Sequence, residues 1–184
     1  MSFNFKKLDI PDVLLVEPTS FNDDRGYFFE NYNEFNFNEN GIKTKFIQDN
    51  LSYSKKNVLR GLHFQKPPKA QVKLVSVLKG EIFDVAVDLR KNSPTYMKWT
   101  SEILSEINHR SLYIPEGFAH GFYVLSDTAY VLYKVNSNYY PELDSGIIWN
   151  DSELNISWPT SDPILSIKDQ NLLSLKNQDY DFNP

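Results

Sequence analysis

The sequence predicts an all-β fold, a jelly roll built from short antiparallel strands. Three observations carry that prediction. Runs rich in Val, Ile, Tyr and Phe recur along the chain. Turn signals separate most of them at the interval of roughly 8–12 residues expected of a sandwich or barrel. Several runs also alternate apolar and polar residues, the period of a strand with one buried face. The chain is 184 residues long, 41% hydrophobic and 15% aromatic, which suits one domain spanning 1–184. A domain of that size buries roughly 70% of the surface its unfolded chain exposes. No linker, repeat or shift of composition divides it.

The runs, in order, are VLLV (13–16), YFFE (27–30), VLRGLHF (58–64), VKLVSVL (72–78), EIFDVAVDL (81–89), YMKWTSEIL (96–104), SLYI (111–114), HGFYVL (120–125) and TAYVLYKV (128–135). Lys79-Gly80, Asn92-Ser93-Pro94, Pro115-Glu116-Gly117 and Ser126-Asp127 supply the turns. The one helix expected covers 33–40, with Gly41 as its stop. Many short antiparallel strands of this kind close into a double sheet whose interior can hold a ligand.

Charge and composition exclude several classes of function. Lys+Arg 19 against Asp+Glu 24 gives a net charge of -5, spread without long blocks of one sign. Nucleic acid is therefore not an expected partner, because its binding rests on clustered cations that neutralise phosphates. A phosphorylated small molecule needs only two or three placed cations. The absence of Cys removes disulfides, zinc fingers and thiol nucleophiles. The histidines are His63, His109 and His120, without HxH or HExxH spacing, so no metal is expected. No apolar run approaches the roughly 18 residues of a membrane span, so no membrane partner is expected. The apolar stretch 13–16 is too short for a signal peptide and runs into Glu17, which reads as a cytoplasmic protein.

Alternation also identifies polar residues on apolar faces. Lys73 shares a face with Val75 and Val77, His120 with Phe122 and Val124, and Tyr133 with Val131 and Val135. An unpaired polar group there is costly. One such residue is ordinarily a satisfied core residue, but three on separate strands point to convergent groups in a ligand cavity. In RGLHFQ (60–65), Gly61 between Arg60 and His63 suggests a bulge or a close backbone approach. Spacing alone supports equally an edge strand with a solvated arginine. His109 reads as a solvated loop residue, and Asp84 and Asp88 as structural or rim residues of their strand.

The strings DDRGYFFE (23–30), FIQDN (46–50), NVLRGLHFQ (57–65), QVKLV (71–75), GEIFDVAVDLRKNSPTY (80–96), IPEGFAHGF (114–122), LYK (132–134), IWND (148–151) and SIKD (166–169) together resemble the dTDP-4-dehydrorhamnose 3,5-epimerase family over nearly the whole chain. The resemblance implies a cupin-type jelly roll, or double-stranded β-helix, with a short N-terminal arm. It implies a homodimer that exchanges N-terminal strands and acts without metal or cofactor in deoxysugar nucleotide synthesis. The implied reaction inverts C3 and C5 of dTDP-4-dehydro-6-deoxy-D-glucose. Related readings are a mono-epimerase acting at C3 or C5, and a non-catalytic cupin that binds a nucleotide sugar.

Both carbons flank the C4 ketone, so removing either proton gives an enolate. The chemistry needs a base, a cation or donor at the developing oxyanion, and an acid on the opposite sugar face. By resemblance, His63 is the base, Asp169 the carboxylate that orients it, Tyr133 the acid and Lys73 the positive charge at the enolate oxygen. Arg25 and Arg60 resemble contacts to the diphosphate or neighbouring groups, and Glu30, Gln48 and Asn50 contacts to the nucleotide. Arg25 and Glu30 are expected from the partner's exchanged arm. His120 resembles a sugar contact and Lys168 a binding position. Tyr139 resembles the aromatic that stacks on thymine, with Tyr140 as its rival. Asp144 stands where many members carry Glu, which changes the reach of that contact.

Overall fold

The computed structural model describes residues 2–182. Its frame is two antiparallel sheets. The first is six-stranded, in the order β1 (Phe3–Lys7), β2 (Leu14–Pro18), β10 (Ser111–Ile114), β7 (Lys73–Lys79), β12 (Thr128–Val135), β5 (Gln48–Lys55). The second is five-stranded, in the order β13 (Asp144–Gly146), β6 (Leu59–Gln65), β11 (Phe118–Val124), β8 (Glu81–Asp88), β9 (Trp99–Ser105). Strands β5 to β12 cross back and forth between the sheets, apart from the β8–β9 hairpin, and lie as β10-β7-β12-β5 and β6-β11-β8-β9. That interleaving is the double Greek key of a cupin-type jelly roll. The remaining strands extend its edges, except β3 (Phe21–Asp23) and β4 (Gly26–Phe28), which pair only with each other.

Three apolar layers hold the frame, and alternation assigns each strand residue to one of them. Val75, Val77, Ile82, Ala86, Leu104, Leu112, Phe118, Phe122, Val124 and Val131 fill the space between the sheets. Leu62, Phe64, Val85, Val87 and Ala119 face outward from the second sheet, under Leu175, Tyr180 and Phe182 of the C-terminal segment. Val16 and Leu74 face outward from the first sheet, under Phe37 of α1 (Glu34–Glu39). Strand β11 is buried along its whole length, which is why FAHGFYV reads as a nearly continuous apolar run.

The consequence for function lies at the interior. With Val75 inside, Lys73 points inside as well; with Val131 inside, so does Tyr133. Phe118 and Phe122 place His120 there, and Ile82 and Ala86 do the same for Asp84. On β6, Leu62 and Phe64 face outward, leaving His63 inward. A bulge reverses the alternation at Gly61: His120 pairs with His63 but Phe122 with Arg60, so β6 carries one extra residue. Gly61 has φ 120, and a Cβ there would lie 2.6 Å from the Cα of Gly121. Only glycine fits that conformation and that approach.

Several expectations need correction. YFFE (27–30) is not a barrel strand: β4 ends at Phe28, and its residues are all exposed on the β3–β4 hairpin. Phe21, Tyr27 and Phe28 are 53%, 55% and 63% exposed, so strand composition here reflects a projecting arm rather than a core. Strands β1 and β5 were not expected from the runs; QDNLSYSK of β5 is mostly polar and exposed. The helix falls where expected, capped by Asn33, whose Oδ1 accepts from Asn36 N–H at 3.1 Å. A second helix, α2 (Ile167–Gln170), is four residues long, too short for any periodicity to reveal. Among the described residues, no helix is long and apolar enough to cross a membrane.

Candidate active site

Two histidine–aspartate pairs stand side by side in the second sheet. His63 on β6 and His120 on β11 are register partners. His63 Nε2 lies 2.6 Å from Asp169 Oδ1, although 106 residues separate them in sequence. Asp169 comes from α2, where its N–H donates to Ser166 Oγ at 3.0 Å, and the Gly61 N–H donates to its carboxylate. Burial alone would raise the Asp169 carboxyl. The hydrogen bond and charge of His63, with Ser166 and Gly61, instead hold it below its ordinary value. An ionised aspartate accepts the Nε2–H of a neutral imidazole, which leaves the lone pair on Nδ1. The His63 side chain is 31% exposed and Asp169 4%, so this base is open to a ligand. In the second pair, His120 Nε2 lies 2.7 Å from Asp84 Oδ1, with side chains 5% and 0% exposed.

The first sheet faces these pairs with Tyr133 and Lys73. Tyr133 Oη lies 3.2 Å from Ser52 Oγ, and its ring meets that of His120 edge-on at 6.1 Å. Burial pushes the Tyr133 phenol well up, so at neutral pH it keeps its proton and can donate it. Lys73 Nζ donates to the His63 carbonyl oxygen at 3.2 Å. Burial brings its ammonium down to about 8, against the pull of Asp144 and Asp84. At neutral pH it is still charged, and short of partners for that charge.

Around this centre lies a polar rim. Arg60 donates from Nε to Ser54 Oγ at 2.9 Å and to the Tyr53 carbonyl at 3.1 Å. The solvated edge-strand alternative therefore fails, since β13 covers the edge of β6 and Arg60 is hydrogen-bonded across to β5. Asn50 is the register partner of Tyr133, and its Oδ1 accepts from Gln48 Nε2 at 2.8 Å. Asp144 on β13 joins two expected residues: Tyr139 Oη donates to its Oδ2 at 2.9 Å, and Lys168 is ion-paired to the same oxygen. Tyr140 instead donates its N–H to Gln65 and packs its ring under Lys69.

Two expected residues are not brought to this cluster within one chain. Arg25 sits at the hairpin tip, 90% exposed and paired with Asp23. Glu30 accepts from Asn33 and Asn36 beside α1. Among the described residues, no ion pair joins either to the dyads.

Two other readings are corrected. His109 is not simply solvated: its ring packs against Tyr27 and Phe29 at 4.4 and 4.5 Å, anchoring the foot of the hairpin. Asp84 is no rim residue but a wholly buried partner of His120. The signal that finds Lys73 and His120 also finds Asp84, which shares its face with Ile82 and Ala86. Asp88 is structural, gripped by Arg90, Ser93 and Thr95. Among the described residues, no group of three or more His, Asp or Glu side chains is placed to hold a metal ion.

Residues 7–177 match the model of a family described as dTDP-4-dehydrorhamnose 3,5-epimerase. A curated relative of that name from Shigella flexneri is 53% identical over 178 residues, 96% of this chain and 98% of its own. A solved structure of an enzyme of that name from Bacillus anthracis str. Ames, with TDP and PPi bound, is 50% identical. It superposes with a TM-score of 0.93 over 95% of this chain and 100% of its own. The dTDP-6-deoxy-D-glucose-3,5-epimerase of Legionella pneumophila Philadelphia 1, in complex with dTDP-4-keto-L-rhamnose, is 43% identical. Its TM-score is 0.94 over 99% of this chain and 100% of its own.

Proposed function

This chain belongs to the dTDP-4-dehydrorhamnose 3,5-epimerase family, and we infer that it converts dTDP-4-dehydro-6-deoxy-D-glucose to dTDP-4-dehydro-L-rhamnose by inverting C3 and C5. It is an isomerase. The observation that carries the mechanism is the placement of an open His63–Asp169 pair on one sheet and Tyr133 on the other. A sugar held between the sheets meets a base on one face and an acid on the opposite face.

His63 takes the proton from C3 or C5 at Nδ1, and Asp169 stabilises the imidazolium that forms. The electron pair left behind moves into the C4 carbonyl, and the Lys73 ammonium meets the charge on the enolate oxygen. Tyr133 then delivers its proton to the other face of the same carbon, which completes the inversion. The imidazolium and phenolate return to their starting states by exchange with solvent, and the cycle repeats at the second carbon. These steps draw on protein groups alone. Arg60 and Lys168 hold the diphosphate, where a guanidinium forks onto phosphate oxygens. Gln48 and Asn50 contact the nucleotide, and His120 the sugar. Tyr139 stacks on the thymine; its link to Asp144 and Lys168 favours it over Tyr140.

Two copies form a homodimer, in the cytoplasm, by exchanging the N-terminal arm. The exposed Phe21, Tyr27 and Phe28 and the unburied Arg25 support this, since an exchange covers the aromatics and brings Arg25 and Glu30 to the partner's site. The reaction is tested by incubating the protein with its substrate in deuterated water and capturing the product with a 4-ketoreductase. Deuterium at both C3 and C5 is expected. Deuterium at one carbon makes it a mono-epimerase, and none makes it a binding module.

A further inference from the structure

Asp84 is an expensive residue for the place it occupies. It sits on the interior face of β8 between Ile82 and Ala86, with no exposed surface. Its Oδ1 accepts from His120 Nε2 at 2.7 Å, but its Oδ2 is buried with no hydrogen-bond partner among the described residues. A carboxylate removed from water needs its lone pairs satisfied, and one left orphaned destabilises the fold. The surrounding layer of Ile82, Ala86, Leu104 and Phe122 would accept an apolar side chain. Packing therefore does not explain an aspartate here. Its two polar neighbours do.

We propose that Asp84 is a positioning residue for the epimerisation: it locks His120 in the Nε2–H tautomer with Nδ1 presented to the sugar, and it sets a fixed negative charge near the Lys73 ammonium. The inference rests on the epimerase reading above. Among the described residues nothing hydrogen-bonds His120 Nδ1. A neutral ring pinned at Nε2 offers that nitrogen as an acceptor to a sugar hydroxyl. Without the carboxylate the ring is free to carry its proton on either nitrogen, and half of its hydrogen-bonding options are wrong for the ligand. The orphaned Oδ2 keeps the carboxylate's charge only partly compensated, which is what a nearby ammonium requires. The charged groups acting on Lys73 are Asp144 and Asp84, which favour its charge, and Lys168, which opposes it. Asp84 does not touch the substrate; it acts through His120 and Lys73.

The test combines ring-nitrogen NMR with kinetics on the full chain. In the wild type, His120 should show a protonated Nε2 and an unprotonated Nδ1; the opposite tautomer overturns the proposal, and this reading needs no variant. Asp84→Asn should lower kcat about a hundredfold, the scale on which losing a ring-orienting carboxylate acts, while dTDP alone binds within about twofold of wild type. Its alkaline limb of activity should move to lower pH, because Lys73 loses a stabilising charge. In a His120→Gln background the same substitution should cost far less. An Asp84→Asn enzyme that keeps kcat, limb and ring signals, or one whose loss is undiminished in the His120→Gln background, overturns the proposal. A wild type that shows the expected tautomer yet turns over no substrate counts against the epimerase reading instead.

Discussion

His63 and His120 face each other across β6 and β11, each with Nε2 against an aspartate Oδ1, at 2.6 and 2.7 Å. The geometry of the two pairs is nearly the same, and their surroundings are not. Asp169 has further donors in Ser166 and Gly61, and its histidine is 31% exposed. Asp84 has one donor, an orphaned oxygen and a histidine 5% exposed. The carboxyls respond in opposite directions: Asp169 is held below its ordinary value, whereas burial raises Asp84. A histidine–aspartate pair is thus not a base by virtue of its contact distance. The proposed base is the pair whose carboxylate has several donors and whose ring a substrate can reach.

If that contrast is right, disabling the open pair costs the most. Asp169→Asn should lower kcat by about 10²–10⁴-fold, the range of a general base deprived of its orienting charge, with dTDP affinity unchanged. A variant within a few-fold of wild type in steady-state turnover breaks the assignment. The next largest effect sharpens the division between sheets. Tyr133→Phe removes only the acid, so the enzyme should still exchange a substrate proton with deuterated water while forming little inverted product, by about 10²-fold or more. Inversion at the wild-type rate would remove Tyr133 from that role.

A smaller effect concerns Lys73, which touches the open pair and feels the charge of the buried one. Burial brings it to about 8, so kcat/KM should fall about tenfold per pH unit as pH rises above that value. In Lys73→Met that limb should vanish along with most of the activity. The smallest effect is on stability. Because burial raises the Asp84 carboxyl, the folded state binds its proton more tightly than the unfolded chain does. Stability therefore falls as pH rises from the ordinary carboxyl range through the raised value, and the ionised group is a cost at neutral pH. Asp84→Asn should raise Tm at pH 7 in thermal melts even as it slows turnover, by roughly 2–4 °C for each kcal/mol recovered. A lower Tm would mean that the His120 contact outweighs the burial of the charge.

The same contrast shows what was legible in the sequence. Central strands β7, β8, β11 and β12 could be read because each buries most of at least one face and alternation marks it. Edge strand β5 was hidden, since only Ser54 of its eight residues is buried. His120 and Lys73 stood out as polar residues on apolar faces. Asp84 obeyed the same rule and was passed over, because the two acidic residues of DVAVD, alternating with Val85 and Val87, resemble a solvated face. The pairing of His63 with Asp169 spans 106 residues; no local pattern encodes such a contact, and family resemblance alone supplied it. The link between Tyr139, Asp144 and Lys168 is equally a product of tertiary folding, across β13 and α2.

The central claim is that one of two adjacent histidines removes the substrate's protons and the other does not. It is tested most directly by following deuterium wash-in at C3 and C5 with His63→Ala, whose His120–Asp84 pair is intact. The account predicts no wash-in at either carbon beyond the uncatalysed rate, in a folded protein that still binds dTDP. Wash-in at a rate close to that of the wild type would contradict it and transfer the role of base to the buried pair.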